Sequence, residues 1–206
     1  MNAQEAQNIK WSENIIIVDG DYIDHVAFDL IVNFERMLNR RIPATDFSLW
    51  AVNIALDGRL KPGNHETQVV LLHDKQNPKL ENFAPADYEK ELNGQAFKDP
   101  QLGEFIINSI VTSDEVAEKD NVLLDLLKTV LSHEEIKRIM LVPNAEDSHL
   151  MSTLRSTLRN ADDELKHITL FAMQPLEGGN FKQQILGYSL LNAMGISSSE
   201  IEQKIK

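Results

Sequence analysis

The chain has 206 residues, 42% hydrophobic and 25% charged, which suits one packed domain and excludes a disordered or collagen-like chain. The lack of any cysteine excludes a thiol nucleophile, a thiolate metal site and a disulfide framework. Net charge is −12, spread evenly along the chain, so no basic arm offers itself to nucleic acid.

The opening residues carry no secretory signal pattern, and no apolar run approaches the roughly 20 residues of a membrane helix, so a cytoplasmic protein is expected. Asn14–Val18 is a β-branched apolar run ending in Asp19-Gly20-Asp21, the pattern of a strand buried on both faces of a parallel sheet. From Asp24 to Arg41, apolar residues recur every three or four positions, which predicts a helix with Asp24 as N-cap. Arg36, Arg40 and Arg41 fall near its end, where they face the negative pole of the helix dipole. Thr45 or Asp46 caps a second helix that ends at Asp57-Gly58.

Thr67–Leu72 reads as a second strand running into His73-Asp74, with His73 expected at a surface strand end. The segment from about residue 75 to 103 is irregular and proline-bearing, with a short helix expected from Pro85 to Leu92, and reads as an insertion or lid. Phe105–Val111 is a third strand, and Thr112-Ser113-Asp114-Glu115 matches a capping box that opens a helix. Ile139–Val142 is a fourth strand, followed by a helix from Ser148 to Arg159 and a fifth strand from His167 to Met173. A last helix is expected from Phe181 to Met194 with the stripe Phe181, Ile185, Leu186, Leu190 and Met194, and with Phe181, Tyr188 and Met194 on it this helix suits either the core or a second copy of the chain. Gly178-Gly179 reads as a turn and the serines at 197–199 as a loose tail. Alternating strands and amphipathic helices imply right-handed crossovers, hence an α/β three-layer sandwich with a mainly parallel sheet of about five strands, as a single domain over residues 1–206.

In such a sheet, ligands bind beyond the carboxyl ends of the strands. The residues there are acid-rich: Asp19 and Asp21, then His73 and Asp74, then Asn144, Glu146 and Asp147, with Asp120 on the helix after strand three. Carboxylates gathered at one rim repel one another unless a cation or shared proton relieves them, and Mg²⁺ or Mn²⁺ takes such oxygen ligands. A metal held by Asp19, Asp21, Glu146 and Asp147 would activate water, with Asp120 orienting or deprotonating it. The six histidines form no compact ligand spacing and no serine lies in a Gly-x-Ser-x-Gly context, so zinc and hydrolase readings gain nothing.

The first strand closing on Ile-Val-Asp-Gly-Asp, the Lys119-Asp120 opening Asn121-Val-Leu-Leu-Asp125, and the strand Ile139-Met-Leu-Val142 running into Pro-Asn-Ala-Glu-Asp147 resemble PIN and NYN ribonuclease domains. The resemblance covers most of the chain in layout but only three short motifs in residues. It implies Asp19, Asp120 and Asp147 as the catalytic carboxylates of a Mg²⁺- or Mn²⁺-dependent nuclease or phosphoesterase. Asn144 or Glu146 stands where the pattern has an Asp, and Lys119-Asp120 is contiguous where it is spaced. The alternative is a non-catalytic α/β interaction or scaffold protein. The chain is also similar to proteins of gut-type anaerobic bacteria, which implies no activity. Partners stay open: RNA is disfavoured by the charge, a membrane is not expected, and self-association is compatible with the sequence.

Overall fold

The computed structural model describes residues 10–112, 116–161, 164–176, 178 and 181–205. The first described element is β1 (Asn14–Asp19), in which every residue is buried. The helix α1 (Gly20–Leu38) follows without a break, capped by Asp19, whose carboxylate accepts from the Tyr22 amide. Asp24 lies inside this helix and caps nothing, contrary to expectation. Next come β2 (Thr45–Asp46) and α2 (Phe47–Asp57), the latter capped by Asp46, one of the two residues expected there. β3 spans His65–Asp74, longer at both ends than its apolar run.

The insertion is more regular than expected. It holds β4 (Phe83–Ala84), a π-helical turn at Tyr88–Leu92 where a short α-helix was expected, and β5 (Ala96–Asp99). Leu80, Phe83, Tyr88 and Leu92 are buried in the same cluster as Phe47 and Trp50 of α2, so this segment is part of the core. β6 (Gly103–Thr112) leads to α3 (Val116–Ser132); the expected capping box lies outside the described residues except for Thr112. β7 (Arg138–Val142), α4 (Ser148–Leu158) and β8 (His167–Ala172) agree with the sequence to within a residue. The predicted last helix splits into β9 (Lys182–Ile185) and α5 (Leu186–Ala193), and the expected loose tail forms α6 (Ser198–Ile205).

The sheet has seven strands in the order β5-β6-β3-β1-β7-β8-β9, two more than predicted, and only the β5–β6 pair is antiparallel. The additions, β5 and β9, are the edges. The chain winds outward from β1 through β3 to β6, then returns to β7 and winds the other way, so the winding direction reverses between β1 and β7. Side chains alternate across β1: Ile16 and Val18 face α1, α2 and α5, whereas Ile15 and Ile17 face α3 and α4. Each fully buried aliphatic contributes about 1.5–3 kcal/mol, so a strand buried on both faces is specified twice over. Near the far end of α1, Arg40 binds Glu200 of α6 at 2.9 Å, and Arg41 lies 3.5 Å from Glu35. Among the described residues no helix is long and apolar enough to cross a membrane.

Candidate carboxylate–lysine site

At the carboxyl edge the β1–α1 junction supplies Asp19 and Asp21, β3 ends on Asp74, and the first turn of α3 supplies Lys119. The Lys119 ammonium sits between the three carboxylates. Its Nζ lies 2.6 Å from Asp21 Oδ2, 3.1 Å from Asp19 Oδ1 and 3.5 Å from Asp74 Oδ2. Lys119 is 6% exposed and Asp19 1%, so these charges interact with little solvent screening. Burial raises the Asp19 carboxyl above its ordinary value, opposed first by Lys119 and then by the Tyr22 amide. Burial alone would lower the Lys119 ammonium, but Asp19 and Asp21 outweigh it and hold it well above the usual lysine value.

Asp21 and Asp74 are also bonded within the chain. Asp21 accepts from the Asp74 amide and from Asn77 Nδ2, both at 2.9 Å. Asp74 accepts from Thr112 Oγ1 at 3.1 Å. One helical turn on, Asp24 accepts from the Asn82 amide at 2.8 Å and from its Nδ2 at 3.1 Å. Asp21 and Asp24 thus fasten the start of the insertion to α1.

The predicted residues divide. Asp19 and Asp21 come together as expected. Asp147 caps α4, accepting from the amides of His149 at 2.8 Å and Leu150 at 2.9 Å. Glu146 makes no side-chain bond with the cluster, though its charge is felt at Tyr22. Asp120 is half-buried, and burial and then the Asp147 charge raise its carboxyl. The residues that sequence reasoning left without a role are Lys119 and Asp74. Successive helical residues point about 100° apart, so Lys119 and not Asp120 reaches between the three carboxylates, while Asp120 still feels the charges of Asp147, Lys119 and Asp74. His73 is also corrected: it is 7% exposed and stacks on Tyr88 with ring centroids 3.8 Å apart.

Tyr88 closes the site from the insertion. Its hydroxyl is buried without a hydrogen-bond partner and lies over Gly20, between Asp19 and Asp21. A Cβ at Gly20 would collide with that oxygen, so Gly20→Ala is expected to cost about 1–3 kcal/mol. Tyr88→Phe removes the oxygen and should recover part of that loss in the double variant, measured as a coupling energy by urea denaturation. Equal penalties in both backgrounds would show that the contact does not set the need for glycine.

A divalent metal, implied by the ribonuclease resemblance, does not fit these residues as arranged. The space between Asp19, Asp21 and Asp74 is filled by an ammonium, which cannot ligate a cation. Among the described residues, no three His, Asp or Glu side chains are placed to hold one metal ion.

A family model matches residues 8–201, nearly the full length. The chain belongs to DUF6621, a family of unknown function. No curated protein and no solved structure matches it. The DUF6621 match spans both the β1–α1 junction and α3, so the carboxylates and the lysine all fall within the family's domain.

Proposed function

We propose that this is a PIN/NYN-like α/β protein whose carboxylate centre is closed by its own lysine, and that it acts as an interaction or scaffold protein without hydrolysing phosphodiesters. The Lys119 ammonium within 3.5 Å of three carboxylates carries the reading. It does electrostatically what a bound cation would do for them. It cannot lower the pKa of a bound water as a metal does. Two further observations support the same conclusion. Asp19 and Asp147, two of the three residues that the resemblance nominates for catalysis, serve as helix N-caps. The net charge of −12 leaves little to attract a polyphosphate substrate.

The test is a thermal melt with and without Mn²⁺ or Mg²⁺, paired with an RNA-cleavage assay, on the wild type and Asp19→Asn. A cation that binds only the folded state would stabilise it by about 2.7 kcal/mol at one hundred times Kd, a shift of several degrees at this size. We expect no such shift and no cleavage. Mn²⁺ stabilisation of the wild type that Asp19→Asn abolishes, together with metal-dependent cleavage, would overturn the proposal.

A further inference from the structure

Of the chain's asparagines only Asn93 is followed by a glycine, and both residues are exposed. Without a Cβ, Gly94 leaves its backbone nitrogen unhindered toward the Asn93 side-chain carbon, and an added Cβ there would meet nothing within 4 Å. In a free chain such a pair reacts with itself. The Gly94 nitrogen attacks Asn93 Cγ, a nitrogen–carbon bond forms, and the carboxamide nitrogen leaves as ammonia carrying the amide proton, which closes a succinimide ring. Water then opens the ring at either carbonyl and yields aspartate or isoaspartate, with no oxidant or reductant involved. The fold holds both reacting groups in other bonds. The Gly94 N–H donates to the Ile107 carbonyl at 2.9 Å, and Asn93 Oδ1 accepts from the Ser109 amide at 2.9 Å. Asn93 has ψ at 127°, which turns the Gly94 nitrogen away from its own side chain. Immediately beyond, β5 docks on β6 through Phe97, whose ring stacks on that of its register partner Phe105 with centroids 4.9 Å apart.

We propose that Asn93-Gly94 is a self-modifying latch on β6, which deamidates only when this edge of the sheet opens and whose isoaspartyl product cannot close again. Cyclisation needs Asn93 and Gly94 to leave β6 together, so its rate follows the fraction of molecules in which the edge is open. The two products differ in what they do next. Aspartate leaves the backbone unchanged and keeps a carboxylate oxygen for the Ser109 amide. Isoaspartate carries the backbone through the side-chain carbon, which lengthens it by one atom and moves the Gly94 N–H off the Ile107 carbonyl. The Ile107 amide, which donates to the Gln95 carbonyl at 2.8 Å, loses its partner with it. A transient opening is thereby converted into a lasting one. None of these steps involves the carboxylate–lysine centre, so they hold whether or not that centre is catalytic.

The experiment ages the full chain at mildly alkaline pH, native and unfolded in urea, and follows Asn93 by mass spectrometry. Each event adds about one dalton, and peptide mapping separates the isoaspartyl from the aspartyl product. The native rate should be lower than the unfolded one by about tenfold or more. Phe97→Ala, which removes the stacked ring and leaves the reacting pair intact, should raise the native rate about two- to tenfold. Ile139→Val, a truncation of similar cost at a buried position on β7, should leave it unchanged, because it weakens the fold away from this edge. In the isolated isoaspartyl form the Ile107 and Ser109 amides should lose hydrogen-exchange protection, whereas Asn93→Asp should retain it. Equal native and unfolded rates, no acceleration by Phe97→Ala, an equal one by Ile139→Val, or an isoaspartyl form in which both amides stay protected would each overturn the proposal.

Discussion

Lys119→Met is expected to destabilise the fold by about 3–5 kcal/mol, because it leaves the buried carboxylate of Asp19 and the partly buried ones of Asp21 and Asp74 without a counter-ion. The effect has a pH signature. The Asp19 carboxyl is raised by burial, with Lys119 the strongest influence holding it down. Removing the ammonium lets that value rise further. A carboxyl whose folded value exceeds its unfolded value favours folding where it is protonated, so the deficit of the variant is full at neutral pH and shrinks on acidification. In the wild type the lysine adds a contribution at the alkaline end. Its folded value lies above the unfolded one, so its contribution is complete below the ordinary lysine value and is lost only at strongly alkaline pH. Urea denaturation of both proteins at pH 7 and pH 5 measures this. A neutral substitution, or a deficit that grows at pH 5, would show that Lys119 does not hold the cluster together.

Gly103→Ala should cost about 3 kcal/mol or more, from two sources that reinforce each other. Gly103 opens β6 with φ at +92°, a conformation that side chains resist. An added Cβ would also fall on the backbone of His65, its register partner on β3, and backbone cannot swing aside as a side chain can. Gly195→Ala is the control. Its φ is +68°, but a Cβ there meets nothing within 4 Å, so only the conformational cost of about 1–2 kcal/mol remains. Chemical denaturation of the two variants compares them directly. Equal losses would mean that the close approach of β6 to β3 contributes nothing.

The parts of the fold legible in the sequence are those where burial writes a repeating pattern. Ile15-Ile16-Ile17-Val18 could only be a strand covered on both sides, and Leu150, Met151, Leu154 and Leu158 recur at helical spacing on the face that α4 buries, whereas α1 buries Tyr22, Ile23 and Val26 ahead of most of its apolar repeat. The edges were illegible for the complementary reason. Lys182-Gln183-Gln184-Ile185 is half-buried throughout and carries no alternation, so it merged with the helix that follows. Ala96–Asp99 alternates half-buried and exposed without one apolar face, and pairing with β6 makes it a strand. The site was half legible. Asp19 and Asp21 follow from the rule that strand ends carry the chemistry. Lys119 did not, because local spacing says which residues adjoin along a helix but not which one reaches across to a carboxylate from another strand.

The antiparallel edge strand also bears on what the protein avoids. β6 is ten residues long, and without a neighbour its outer row of amides and carbonyls would be a template on which another extended chain could grow. β5 pairs only with Gly103–Ile106. Beyond it the same segment supplies improvised partners: Gln95 and Gly94 bracket Ile107 through their backbones, and the Asn93 side chain accepts from the Ser109 amide at 2.9 Å. The segment that read as an irregular interruption therefore guards the flank of the sheet against misassembly, and its irregularity is what makes the flank a poor seed for aggregation.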